Sequence, residues 1–342
     1  MSNFEAYIDR TRLEQVRQGA VLVPGVDAAI FEVTGPGALD CIQGLLTNDI
    51  LNPGDQSVVY GALLTPKGMI VADYWVLRHG GALTMIAPAQ ARAVSVALFV
   101  KQLPPRLATV VDQSDRWSVV WLYGAGAVAA TLRAGLISET PVPGRLAAGL
   151  GGGDEILVGR PGPAAPFALL LTGPAGAVEA ATEALARVGA VQGGEAELLA
   201  ARVIGGWPAL TGEIDDKTLP QEVRYDEIDG VSYTKGCYTG QETVARIHFR
   251  GHPNRELRGI LWLGAEPLEG RAVVTTAGQG ERLEDGRVER EVGTVRSVLH
   301  LPDRVLGLAV IRREVPPGRT VTAAGRPAEV VALPFGEEHL NL

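Results

Sequence analysis

The residues between positions 232 and 250 include the side chains best suited to chemistry in this 342-residue chain. Cys237 is one of only two cysteines, and Lys235 stands two positions before it. A nearby cation lowers the pKa of a thiol and so favours the nucleophilic thiolate. Inert packing is the alternative, because cysteine commonly acts as a small core residue. The pattern predicts a nucleophile, a redox thiol or a transient metal ligand at position 237, with a structural role left open.

The residues that follow the cysteine alternate small or apolar side chains with polar ones over 243–250. A period of two is typical of a β-strand, so we predict a strand here. One of its faces would carry Arg246, His248 and Arg250. Three basic side chains on one face suit the recognition of an anion.

The octapeptide Lys-Gly-Cys-Tyr-Thr-Gly-Gln-Glu at 235–242 closely resembles the signature of the YgfZ family. That family is a branch of the superfamily that also contains the aminomethyltransferase (T-protein) of the glycine cleavage system. The resemblance implies a folate-binding protein with tetrahydrofolate, or a one-carbon derivative of it, as cofactor. For the YgfZ branch it further implies a role in iron–sulfur cluster assembly or repair and, through cluster enzymes as clients, in tRNA modification.

The same resemblance extends over nearly the whole chain and implies site residues. Asp73 corresponds to the aspartate that lies against the reactive nitrogen of folate in the T-protein branch, where a pair of acids is usual and this chain has Ala72 before it. Glu213 is expected to bind the pterin, because two adjacent donors can meet one carboxylate. Solvent exposure is the alternative for both acids. The remaining expected folate-binding residues are Arg202, Gln241 and Arg246, and the expected catalytic pair is Cys237 and Lys235.

Three functions stay open at this point. The first is a YgfZ-type protein with a reactive thiol. The second is a tetrahydrofolate-dependent aminomethyltransferase, which would need the folate site but not the cysteine, since the T-protein branch typically has an aromatic residue where Cys237 stands. The third is a non-catalytic scaffold that binds a partner protein and uses the cysteine for packing.

Composition limits the partners and the location. The formal net charge of −8 argues against direct nonspecific binding to nucleic acid or to an anionic membrane, although a local basic groove is compatible with it. No run of 18 apolar residues and no apolar leader at the N-terminus is present, so we expect a cytoplasmic protein without membrane contact. Two cysteines without a Cys-x-x-Cys spacing predict no stable metal site.

The order of the expected helices and strands predicts an α+β fold. It would have ferredoxin-like units around a central cavity and a small C-terminal β-barrel. Two apolar runs between 20 and 33 predict a pair of strands, no internal repeat stands out, and Gly124-Ala125-Gly126 lacks the third glycine of a dinucleotide loop. We expect four segments: an N-terminal α+β folate-binding domain over 1–115, a ferredoxin-like domain over 116–189, a motif-bearing segment over 190–254 that completes the first domain, and the barrel over 255–342.

Overall fold

The computed structural model describes residues 4–268, 271–282 and 288–341. The strands of the first two thirds of the chain are β1 (Glu5–Tyr7), β2 (Val21–Pro24), β3 (Ala29–Thr34), β4 (Ser57–Leu64), β5 (Ile70–His79), β6 (Ala82–Ala87), β7 (Thr109–Asp112), β8 (Trp117–Tyr123), β9 (Arg145–Gly151), β10 (Asp154–Arg160), β11 (Leu169–Pro174) and β12 (Val191–Gln192). The helices there are α1 (Arg10–Gln18), α2 (Ala38–Gln43), α3 (Arg92–Gln102), α4 (Ala127–Arg133), α5 (Ala175–Arg187) and α6 (Glu195–Gly205).

All of these strands except β1 form one eleven-stranded sheet with the order β12-β2-β8-β11-β10-β9-β4-β5-β6-β3-β7. The two halves of the sheet meet where β4 pairs with β9. Each half has the same succession of a strand, a helix, three antiparallel strands, a helix and a strand, running from β3 to β7 and from β8 to β12. The expected ferredoxin-like units are therefore confirmed, and they form a topological repeat that the residue types do not reveal.

The prediction that the two strands between residues 20 and 33 pair with each other is wrong. Both strands exist, but β2 pairs with β8 and β12, whereas β3 pairs with β6 and β7. The two strands thus lie in opposite halves of the sheet. Local hydrophobic pattern predicted the strands correctly but not their partners, which come from distant parts of the chain.

The Gly-x-Gly turn after β8 serves close packing between helices. Gly124 has a φ of +91°, and a Cβ atom placed on it would lie 2.3 Å from the carbonyl oxygen of Gly19. The amide of Gly126 donates a hydrogen bond to the same oxygen over 2.9 Å. The start of α4 therefore meets the end of α1 at a distance that only glycine allows. This contact explains the glycines without a bound dinucleotide.

The C-terminal part forms the expected small barrel. Its strands are β13 (Arg255–Leu263), β14 (Val273–Arg282), β15 (Val288–His300), β16 (Arg304–Arg312), β17 (Thr320–Ala323) and β18 (Arg326–Val331). They close in the order β15-β14-β17-β18-β13-β16, because β16 pairs again with β15, and β1 adds to β15 in parallel. Residues 206–254 connect the sheet to the barrel and contain α7 (Gln241–Arg250), and α8 (Glu337–Leu340) follows the last strand. No helix in the described ranges is long and apolar enough to cross a membrane.

Strands β4 and β5 position the candidate site because they are buried on both faces. Successive side chains of a strand point to opposite faces. On β5, Ala72, Tyr74 and Val76 belong to the core under α2 and α3. Asp73 and Trp75 alternate with them, and Trp75 belongs to the central core that the sheet shares with the connecting segment and the barrel. The alternation therefore directs Asp73 toward the centre of the molecule.

Candidate functional site

Asp73 is an enclosed acid with an unused hydrogen-bond acceptor. Its residue surface is 6% exposed, and its Oδ2 accepts a 2.7 Å hydrogen bond from the hydroxyl of Tyr60. Its Oδ1 is buried and accepts no hydrogen bond from the described residues. Burial raises the pKa of Asp73 to about 6, and the hydrogen bond from Tyr60 opposes part of that rise. The alternative of a solvated strand acid is thus not what the structure shows.

Four aromatic side chains surround this carboxylate. The Tyr60 hydroxyl lies 3.1 Å from that of Tyr225, and its ring centroid lies 4.9 Å from that of Trp75 and 4.7 Å from that of Trp207. The two tryptophans stack at 5.6 Å with an interplanar angle of 15°. Burial and the neighbouring Asp73 charge raise the pKa of both tyrosines, so both hydroxyls stay protonated as hydrogen-bond donors. The surroundings of Asp73 are therefore apolar, aromatic and supplied with two fixed hydroxyl groups.

Glu213 lies in a second buried network and uses both of its carboxylate oxygens there. Its Oε2 accepts hydrogen bonds from Nη1 of Arg202 over 2.6 Å and from the amide of Ala209 over 3.0 Å. Its Oε1 accepts a hydrogen bond from the hydroxyl of Ser297 on β15. The structure brings Arg202 and Glu213 together, as expected, but as an internal ion pair. The pterin-binding role of Glu213 stays a prediction.

Trp207 connects the two networks. Its ring packs against Tyr60 beside Asp73, while its carbonyl oxygen accepts a 3.0 Å hydrogen bond from Nη1 of Arg202. Asp73 and Glu213 are therefore not in contact, but one residue lies against the immediate partners of each. Trp207 is thus the residue that packs against both networks.

Lys235 anchors the loop over residues 235–240, here called the motif loop, and its ammonium is not directed at the thiol. Its ammonium donates hydrogen bonds of 2.6, 2.7 and 2.9 Å to the carbonyl oxygens of Gln43, Leu46 and Asn48. Burial lowers the pKa of Lys235 to about 8, and the nearby Asp49 charge opposes this change. An ammonium has three N–H donors, and all three are used. The ammonium is therefore directed at residues 43–48, and the activation of Cys237 by the nearby charge of Lys235 stays a prediction.

Asn48 joins this anchor to the first network. Its side-chain amide donates to the carbonyl oxygens of Tyr60 and Asp229, while its own carbonyl accepts from Lys235. Gly240, with a φ of +85°, packs against the turn between β4 and β5, where a Cβ atom on it would lie 2.6 Å from the carbonyl oxygen of Thr65. Both ends of the motif loop are therefore fixed to the strand pair that carries Asp73.

Cys237 itself is exposed in the middle of this anchored loop. The described residues contain no group of three or more histidine, cysteine, aspartate or glutamate side chains that could hold a metal ion. The other cysteine, Cys41, lies half-buried on α2 and packs against the core. The thiol of Cys237 is thus presented to solvent from a fixed backbone.

The strand predicted over residues 243–250 is wrong, because this segment forms α7. The alternation of small or apolar with polar residues suggested a strand, but a pattern this short does not exclude a helix. Gly240 provides the N-terminal turn in a left-handed conformation, and Val244 is the only fully buried residue of the helix. Gln241 is half-buried at the first position of the helix, and Arg246 is exposed. Neither lies in the two buried networks.

Sequence reasoning missed five residues of these networks. The signal for Tyr60 and Trp75 was the period of two along β4 and β5, which places them on the same face as Asp73. The other three carry no comparable local signal, because long-range packing brings them to the site. The missed residues are Tyr60, Trp75, Trp207, Tyr225 and Ser297.

Known proteins resemble this chain in both sequence and fold. Residues 5–136 match the family model of the GCVT N-terminal domain. The crystal structure of glycine cleavage system aminomethyltransferase T from Bartonella henselae has a TM-score of 0.74 to this chain, with 18% identity, and the match covers 96% of this chain and 90% of that one. The chain therefore shares its fold with that aminomethyltransferase.

Sequence relatives narrow this class. The tRNA-modifying protein YgfZ of Escherichia coli O157:H7 is 29% identical over 292 residues, which cover 83% of each chain. The protein of the same name from Cronobacter sakazakii is 26% identical over 323 residues, which cover 92% of each. Together with the KGCYTGQE octapeptide, these matches make the chain similar to the YgfZ proteins over most of its length.

Proposed function

We propose that this chain is a cytoplasmic folate-binding protein that supports the assembly or repair of iron–sulfur clusters in client enzymes, and through them tRNA modification. The name of its relatives, tRNA-modifying protein, supports the last part of the proposal. The observation that carries the proposal is the enclosed carboxylate of Asp73, whose Oδ1 has no hydrogen-bond partner in the described residues. A buried polar atom without a partner is costly and is common where a ligand completes the site.

The residues around Asp73 fit a reduced folate. A tetrahydropterin presents ring N–H groups that would donate hydrogen bonds to the free Oδ1, and the aromatic side chains make the surroundings of the carboxylate apolar. Folates are the general ligands of this superfamily's folds. When bound, tetrahydrofolate would supply ring nitrogens that carry one-carbon units. Tyr60 holds Oδ2 and thereby fixes the direction in which Oδ1 accepts a hydrogen bond or a proton.

The thiol would act at a separate, exposed position. Asp73 is almost fully enclosed, whereas Cys237 is open to solvent on a loop that Lys235 ties to residues 43–48. An exposed thiol on a fixed loop can reach a cluster or a cysteine of another protein, which an enclosed one cannot. We propose that Cys237 meets the client enzyme while folate occupies the interior, and that Asn48 and Tyr60 link the two positions.

The test is complementation of bacterial cells that lack their own YgfZ-family protein. We expect the wild-type chain to restore a tRNA modification made by an iron–sulfur enzyme, measured as the modified nucleoside by mass spectrometry. Cys237→Ser is expected to fall to the level of the empty vector, because a hydroxyl replaces the nucleophile without changing the loop. Cys41→Ser is the matched control and is expected to retain function, with the abundance of all variants checked by immunoblot.

Two results of this assay would contradict the proposal. Full function in Cys237→Ser would remove the thiol from the chemistry and would favour a folate-dependent aminomethyltransferase or a scaffold. Equal loss in Cys41→Ser and Cys237→Ser, at normal abundance, would show that sensitivity to cysteine replacement is not specific to the motif loop.

A further inference from the structure

We propose that the exposed side of α7, together with the groove that follows it, binds single-stranded RNA such as a loop of a structured RNA. The proposal rests on the proposed function in one respect, because it identifies RNA itself as a partner of a protein that supports tRNA modification. Its structural basis is a combination of unpaired arginines and exposed aromatic rings that the buried networks do not use.

Aromatic rings lie at the surface of α7 in an arrangement suited to base stacking. Phe249 is 67% exposed. The imidazole of His248 stacks on the ring of Tyr233 with centroids 3.6 Å apart, and Phe249 meets His248 edge-on at 4.8 Å. Hydrogen bonds from the Tyr233 hydroxyl to Asp226 and from Gln221 to that hydroxyl hold the tyrosine in place. These rings form a rigid aromatic step on which an unpaired base can stack.

Arginines stand beside this aromatic step with their charges free. Arg246 and Arg250 are one helical turn apart and both exposed, and neither forms an ion pair within the described part of the chain. Residues 246–258 contain four arginines and two histidines against one acid, Glu256. The whole chain has a net charge of −8, so the positive charge of this segment is opposite in sign to that of the chain. Exposed arginines without acidic partners are available to phosphate.

A groove of about 800 Å³ against the barrel follows the end of the helix, and three arginines and three glutamates line it. Arg312 lines it as an exposed residue, whereas Arg296 lines it as a largely buried residue whose Nη2 is paired with Asp215. Acids also line the groove, but Glu222 is held by Arg255 through both carboxylate oxygens, and Glu314 is paired with Arg290. Glu291 is the remaining acid. Among the described residues, Arg312 is therefore the arginine of the groove that is free to bind a phosphate of a strand held on α7.

Single-stranded RNA fits these features better than the alternatives. Proteins that bind single strands combine a basic groove for the backbone with aromatic side chains for the bases, which is the pairing found here. A duplex hides its base faces and would leave Phe249 without a partner. An acidic protein segment would use the arginines but would gain little from the aromatic step.

The test is a titration of the purified protein with a short fluorescein-labelled RNA oligonucleotide, followed by anisotropy at several salt concentrations. We expect the wild type to bind with an affinity that falls as salt rises. Each phosphate neutralised on a single strand contributes about 0.7 to the slope of log K against log salt, so Arg246→Ala with Arg250→Ala should reduce that slope by about 1.4. Phe249→Ala should weaken binding at least about fivefold through lost stacking.

The matched control removes two exposed arginines elsewhere, Arg106→Ala with Arg116→Ala, which changes the net charge equally. We expect this variant to bind like the wild type. No binding by the wild type at low salt, equal losses in both double variants, or displacement of RNA by polyglutamate with no effect of Phe249→Ala would each overturn the proposal. The titration contains neither folate nor a client enzyme, so its failure is distinguishable from failure of complementation.

Discussion

Replacing Arg202 with methionine is expected to destabilise the protein by about 3–5 kcal/mol, because the buried Glu213 carboxylate would lose its charged partner. Both side chains are enclosed, with 7% and 0% of their surfaces exposed. The carbonyl of Trp207 and the hydroxyl of Ser297 would lose a donor in the same step. Chemical denaturation followed by tryptophan fluorescence measures the change, and the signal is direct because Trp207 belongs to the affected network.

Two further variants test whether the loss of stability comes from breaking the buried ion pair. Adding Glu213→Gln to Arg202→Met should recover part of the loss, because the neutral amide no longer leaves a buried charge without a partner. Arg187→Ala breaks the exposed ion pair with Glu183, and we expect a loss of at most about 1 kcal/mol. If Arg202→Met costs no more than Arg187→Ala, the ion pair does not support the fold in the way its geometry indicates.

Asp73→Asn is expected to stabilise the ligand-free protein above neutral pH by up to about 3 kcal/mol. Burial raises the pKa of Asp73 from its usual value of about 4 to about 6, and each unit corresponds to about 1.4 kcal/mol. Because the raised pKa belongs to an acid, the folded state binds the proton more tightly than the unfolded state. The wild type therefore loses stability as pH rises from about 4 to 6, and the full loss persists at higher pH.

Denaturation curves from pH 4 to pH 8 test this expectation, with about 3 kcal/mol as the largest difference. The stability of Asp73→Asn relative to the wild type should increase with pH over the lower part of that range and then become constant. Asp154→Asn, at an exposed strand end, is the matched control and should show no such trend. A pH-independent difference between Asp73→Asn and the wild type would mean that Asp73 is not the enclosed, uncompensated carboxylate described above.

A gain in stability on removal of a charge is typical of functional sites. Natural proteins keep a destabilising residue where the function needs it. Within the described residues, Oδ1 of Asp73 forms no hydrogen bond. A contribution of this atom to the stability of the fold therefore does not explain why Asp73 is buried. Its retention is explained if a ligand binds there.

The sequence allowed the strands of the barrel to be predicted, because they depend on local features, whereas the roles of the site residues rest on the resemblance to a family and stay predictions. Short apolar runs between turns are enough to predict strands, and the KGCYTGQE octapeptide led to Asp73 and Glu213 through the resemblance to a family. The burial of Asp73 also follows from alternation along β5, once both faces of that strand are known to be covered.

The remaining features could not be predicted, since they depend on long-range packing. Lys235 is two residues from Cys237 in sequence, yet its side chain reaches residues 43–48, which no spacing rule indicates. The alternation of residue types over 243–250 hid the helical conformation of 241–250, whose start depends on Gly240 in a left-handed conformation. Both carboxylate oxygens of Glu213 accept hydrogen bonds because Ser297, which is distant in sequence and lies in the barrel, donates one of them.

Calorimetric titration of tetrahydrofolate into the wild type and Asp73→Asn at pH 7.5, about 1.5 units above the pKa of about 6, tests the central claim most directly. We expect the wild type to bind and Asp73→Asn to bind at least about tenfold more weakly, because a charge-assisted hydrogen bond contributes about 1.5–3 kcal/mol. Asp154→Asn should bind like the wild type. Undiminished binding by Asp73→Asn, or no binding by the wild type, would contradict the assignment of Asp73 to a folate site.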